Sequence, residues 1–159
     1  MAHQGAGKQL VIAFFASPAA GEVAAHALGQ QADARGCRGT VGLLMLDEQG
    51  KVATGKIGGR TAGGGPGVGV VLGVIALALT GGVLPNRGHF FDPRSGLSTD
   101  DVARFGAELD AGQAAVAVLE QTPGAERAVL ELTGLGGKAE VHWLTDTALR
   151  QAAAAPPVD

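Results

Sequence analysis

The hydrophobic pattern divides the chain into two similar halves around a charge-free centre. Residues 9–15, Gln-Leu-Val-Ile-Ala-Phe-Phe, form an apolar run of strand length. A run without polar alternation suits a strand covered on both faces. Ser17-Pro18 then starts a helix: Ser supplies an N-cap oxygen, and Pro fits the first helical position, where an N–H has no intrahelical partner. Val23, Ala24, Ala27 and Leu28 give this helix one apolar face. A second strand is predicted at about 39–46. A hairpin turn follows at Asp47-Glu48-Gln49-Gly50, and a more polar strand returns over 51–57.

The second half repeats this order. Val116 to Leu119 read as a strand, and Thr122-Pro123 repeats the Ser17-Pro18 start at the same offset. Ala125, Val129 and Leu132 form the inward stripe of the next helix. Gly134 or Gly136-Gly137 ends it, and Ala139 to Leu144 is the last strand. Another helix precedes this half. Ser98 and Asp101 have capping-box spacing, and Leu97 and Val102 can form a hydrophobic staple. The pattern predicts an α+β protein of ferredoxin-like βαβ repeats. Its antiparallel sheet carries helices on one face and is interrupted by a Gly-rich apolar helix. The expected divisions are a tail at 1–7, a first unit with its hairpin strand at 8–57, and the glycine-zipper helix and loop at 58–97. The capped helix and second unit follow at 98–151, and a tail at 152–159.

No residue between Arg60 and Arg87 is charged. Gly65, Gly69 and Gly73 are spaced by four, so in a helix they share a face and allow close approach of another backbone. Gly55, Gly59, Gly63 and Gly67 form a second such series, which overlaps a predicted strand and loop. The helix is expected over about Gly65 to Leu84, with Val70, Leu72 and Leu77 as apolar contacts beside the zipper. Gly67 to Leu84 reaches only the lower edge of a membrane span. Three readings fit: a single span, a helix buried between copies of the chain, or a buried helix of the monomer. Phe90 and Phe91, in the following loop, either anchor a partner or membrane surface or plug the local core.

Composition narrows the function. Aromatics are only 4% and Gly is 27 of 159, so packing rests on small aliphatic side chains and close backbones. Net charge is −3 and no basic patch is interleaved with aromatics, which disfavours nucleic acid as a partner. Cys37 is the sole cysteine, which rules out an internal disulfide or a cysteine-based zinc site. Its neighbours Arg35 and Arg38 would favour the thiolate if close. His3, His26, His89 and His142 show no metal-binding register, and Gly5-Ala6-Gly7-Lys8 lacks the spacing of a phosphate loop. No signal peptide is visible, so a cytoplasmic location is expected, with association at the inner membrane as the variant.

The order of features resembles the bacterial predicted membrane proteins catalogued as domain of unknown function 1269. The motifs that carry it are Lys8 to Phe14, Asp47–Gly50 with Lys51, the Gly58–Leu84 stretch, Gly96-Leu97-Ser98-Thr99-Asp100-Asp101, and Gln113 to Leu119 before Thr122-Pro123. The resemblance implies ferredoxin-like halves with a glycine-zipper insertion and brings no known reaction. The family's second zippered helix is absent or reduced, since Pro85 to Ser95 is polar loop. The expected function is therefore non-enzymatic self-association through the zipper helix, as a soluble homo-oligomer or at membrane lipid, with no cofactor. The alternatives are a small-ligand-binding regulatory module, with its site between the two units or at Arg60–Gly65, and a membrane-anchored protein.

Overall fold

The structure is a computed structural model that describes residues 7–34, 41–57, 68–79, 97–120 and 122–145. In chain order the elements are β1 (Gly7–Phe15), α1 (Pro18–Ala34), β2 (Val41–Leu46), β3 (Val52–Ile57) and α2 (Val68–Leu79). They continue with α3 (Thr99–Asp110), β4 (Ala114–Glu120), α4 (Thr122–Gly134) and β5 (Lys138–Thr145). The five strands form one sheet in the order β3-β2-β4-β1-β5, and every neighbouring pair is antiparallel. The protein is thus α+β. β4 lies between β1 and β2, and β1 lies between β4 and β5, so each strand–helix–strand unit encloses a strand of the other.

Local chemistry fixes the element ends. The Ser17 hydroxyl accepts from the Ala20 N–H at 3.1 Å and caps α1. Asp47 Oδ1 accepts from the backbone N–H groups of Gln49 and Lys51, each at 2.9 Å. Gly50, at φ +80, completes the β2–β3 turn in a conformation that side chains disfavour. At α3 the Ser98 hydroxyl accepts from the Asp101 N–H at 3.0 Å, and Asp101 Oδ2 accepts from the Ser98 N–H at 3.2 Å. This is the capping box expected from the spacing. α4 ends in a Schellman turn: Gly137 N–H donates to the Leu132 carbonyl at 3.0 Å, with Gly136 at φ +102.

The sheet is covered on both faces, not on one as the pattern predicts. One layer sets Val11, Ala13, Phe15, Val116 and Val118 against Ala24, Ala25 and Leu28 of α1 and Ala125, Ala128 and Leu132 of α4. The other sets Leu10, Ile12, Leu44 and Ala117 against Val71, Leu72 and Ile75 of α2 and Val102, Phe105 and Leu109 of α3. The physical reason lies in β1. Leu10, Val11, Ile12 and Ala13 are all fully buried, and alternation sends them to opposite faces. The second layer is built by α2 and α3, the two helices outside the strand–helix–strand repeat.

α1 also sits rotated from its expected face. Val23 is exposed and Ala25 is buried instead. A Cβ on Gly21 would stand 2.8 Å from Ala114 Cβ, so α1 meets β4 at that glycine. This orients the 21, 24, 25, 28 stripe toward the sheet.

Candidate functional site

The charge-free helix α2 carries Val, Gly, Leu, Ile and Ala and no polar side chain. It packs on β2, β3 and α3. Val71, Leu72 and Ile75 are fully buried, and Ala76 and Leu79 pack at the margin of the same cluster. Leu72, expected to contact a second copy or a membrane, instead fills the chain's own core. Four-residue spacing shows which positions share a face but not which face the sheet takes, and Leu72 falls on the sheet side.

Gly73 lies away from that stripe, half-buried, and a Cβ built on it would meet nothing within 4 Å among the described residues. Gly69 precedes it by one helical turn, and the side chains of Val70 and Leu77 lie outside what the structure describes. Gly65, Phe90 and Phe91 lie outside the described residues, as does the Arg60–Gly65 loop. The described part of the helix, 12 residues, is about 18 Å long at the α-helical rise, and the rest of the expected Gly65–Leu84 helix lies outside the described residues. Among the described residues no helix is long and apolar enough to cross a membrane.

A second constellation joins α3 to the edge strand β5. Glu140 and His142, two apart on β5, share the face that α3 covers. Arg104 reaches from α3 and grips Glu140 with both guanidinium nitrogens, Nη1 to Oε1 at 2.8 Å and Nη2 to Oε2 at 2.9 Å. The same Nη2 lies 3.1 Å from Asp101 Oδ1. His142 Nε2 lies 2.7 Å from Glu140 Oε2, and its Nδ1 lies 3.7 Å from Asp101 Oδ2. The His142 ring stands edge-on to Phe105, centroids 5.8 Å apart, and the Arg104 guanidinium sits 5.2 Å above the same Phe105 ring.

The electrostatics follow from these contacts. Burial pushes the Asp101 carboxyl up, but hydrogen bonds from Ser98 and Arg104 and the charge of His142 outweigh it and hold it below its ordinary value. Burial likewise opposes ionisation of Glu140, and hydrogen bonds from Arg104 and His142 win. Arg104 is held above its already high value, chiefly by its bonds to Glu140, against the opposing cost of burial. A histidine beside a carboxylate is one part of a nucleophilic relay. Among the described residues the groups shown against it are acidic, cationic or aromatic, with no hydroxyl or thiol. The arrangement clasps a helix to a strand.

The third feature is a half-open cleft of about 240 Å³ between the β2–β3 hairpin and the ends of α2 and α3. Leu46, Val52, Leu79 and Leu109 line it, with Lys51 and Asp110 beside them. It is smaller than the ~300–1,000 Å³ usual for ligand pockets. Among the described residues no three His, Cys, Asp or Glu side chains gather to hold a metal.

Sequence reasoning assigned Asp101 to the helix cap but missed the Arg104–Glu140 clasp. The local signal was the spacing of Asp101 with Arg104 and of Glu140 with His142, each pair on one face of its element. Comparison with known proteins adds no relative: no family model, curated protein or solved structure matches the chain significantly.

Proposed function

We propose that this protein is a non-enzymatic, self-associating module whose copies meet through the outer side of α2. The observation that carries the reading is Gly73. At Gly21 and Gly106 the missing side chain admits a neighbour of the same chain, Ala114 or Leu79, within 3 Å of a built Cβ. At Gly73 none of the described residues uses the space. A helix without polar side chains spends one stripe on its own core and leaves a Gly-containing stripe, Gly69 and Gly73, suited to close approach of a second backbone. In the same reading the interleaved units are a ferredoxin-like scaffold and α2 is its glycine-zipper insertion, as the resemblance implies.

The experiment is replacement of Gly69 and Gly73 together by Leu, with native mass spectrometry and light scattering on detergent-free protein. The expected result is a smaller assembly with an unchanged circular dichroism spectrum. An unchanged mass refutes the reading. Wild-type protein that is recovered only with membranes moves the contact from a second copy to lipid.

A further inference from the structure

The strand order leaves β5 at one edge of the sheet, and its pairing with β1 runs unbroken from Gly7↔Thr145 to Phe14↔Lys138. β5 has eight residues, no proline and no bulge. Edges are normally blunted by short strands, prolines, bulges or charge. Here the charged Glu140 is turned onto α3 by Arg104, so it does not guard the edge, and the exposed Lys138 charges only the first position of the strand. Half of the N–H and C=O groups of an antiparallel strand point away from its one partner. Among the described residues no strand lies beyond β5 on that side.

We propose that the outer edge of β5 pairs with β5 of a second copy, antiparallel, about a two-fold axis at Val141. Parity limits the register. A two-fold axis perpendicular to a continuous sheet keeps each face on its own side, so residues from the α3-covered face oppose only residues from that face. Centring on Val141 sets Glu140 opposite the partner's His142, Ala139 opposite the partner's Trp143, Lys138 opposite the partner's Leu144, and Val141 against its own copy. An acid then meets a histidine, a small side chain meets the one large ring, and two β-branched side chains meet. The next permitted register, centred on His142, also sets a charge, Glu140, opposite Leu144, and it replaces both acid–histidine pairs with a histidine against its own copy. Val141 is 44% exposed, an apolar side chain left uncovered at the centre of the favoured register.

This surface is distinct from the one on α2, which packs on β2 and β3 toward the other end of the strand order. The test is Val141→Lys, which sets two lysines against each other at the axis and, being exposed, leaves the fold intact by circular dichroism. Val141→Thr is the conservative control. Across about a hundredfold dilution, light scattering is expected to show the half-dissociation concentration of the β5 contact raised at least about tenfold by Val141→Lys and little changed by Val141→Thr. Hydrogen exchange of the β5 amides should slow with concentration in the wild type and become concentration-independent in Val141→Lys. An unchanged mass for Val141→Lys, or wild-type β5 exchange that ignores concentration, overturns the proposal. The two contacts separate cleanly. If only the Gly69 and Gly73 double variant loses mass, the β5 pairing is wrong and the α2 reading stands; if only Val141→Lys loses mass, the reverse holds.

Discussion

Truncating Leu72 to alanine tests whether α2 belongs to the fold or to a partner. Leu72 has no exposed surface and sits among Val71, Ile75, Phe105 and the sheet residues of the second layer. The change removes three carbons, about 2.4 kcal/mol of transfer free energy at ~0.8 kcal/mol per methylene. The residual cavity adds to this, and buried Leu→Ala changes span about 2.7–5.0 kcal/mol. Against a total stability of roughly 5–15 kcal/mol, this is a large share. At ~2–4 °C per kcal/mol for a chain of this size, the midpoint should fall by roughly 6–20 °C. The sole tryptophan, Trp143 on β5, reports unfolding by fluorescence in urea or on heating. A loss below about 1 kcal/mol would refute the packing of α2 on the sheet, because a leucine facing lipid or solvent leaves no such cavity.

Gly73→Ala should act in opposite directions on two observables. The new methyl meets none of the described residues and relieves a helix-interior glycine, so the monomer gains up to ~1 kcal/mol in urea unfolding while the self-association measured by light scattering weakens. Gly21→Val should destabilise by more than about 1 kcal/mol, because the first carbon already stands 2.8 Å from Ala114 Cβ; a neutral urea midpoint would contradict that approach. Asp101 and Glu140 both have lowered folded-state values, so their contribution is present above the unfolded carboxylate range and is lost as pH falls through the folded values. Replacing Arg104 by Gln should therefore flatten the fall in urea midpoint between neutral and acid pH. An identical acid slope would mean the clasp does not form in solution.

What the sequence made legible was whatever is written within a few residues. The Ser98–Asp101 box and the Asp47–Gly50 turn are closed by groups three or four positions apart, so spacing alone identifies them. The Ser17-Pro18 and Thr122-Pro123 pairs marked the starts of α1 and α4, and continuous burial of β1 was implied by its unbroken apolar run. The second helical layer was harder to see. α2 has apolar side chains all round, so nothing in it marks the side that the sheet takes, and Leu72 was assigned outward for that reason. The rotation of α1 depends on Gly21 meeting Ala114, a residue of the other half. The clasp links Arg104 to Glu140 across 36 positions, a separation at which charge pattern carries no pairing information.

The interleaving of the two halves has a consequence for synthesis on the ribosome. β1 and β2 are separated in the sheet by β4, so the first half has no complete sheet when it emerges. Its central pairing waits for β4 to follow β2, roughly 4–15 s later at ~5–20 residues per second. During that interval α2 is already made, and the sheet it will cover is unfinished. The nascent chain therefore exposes its most apolar helix before that sheet is complete. A fragment ending before Ala114 should remain dependent on a holdase chaperone, and no cut within the chain should yield a half that folds alone.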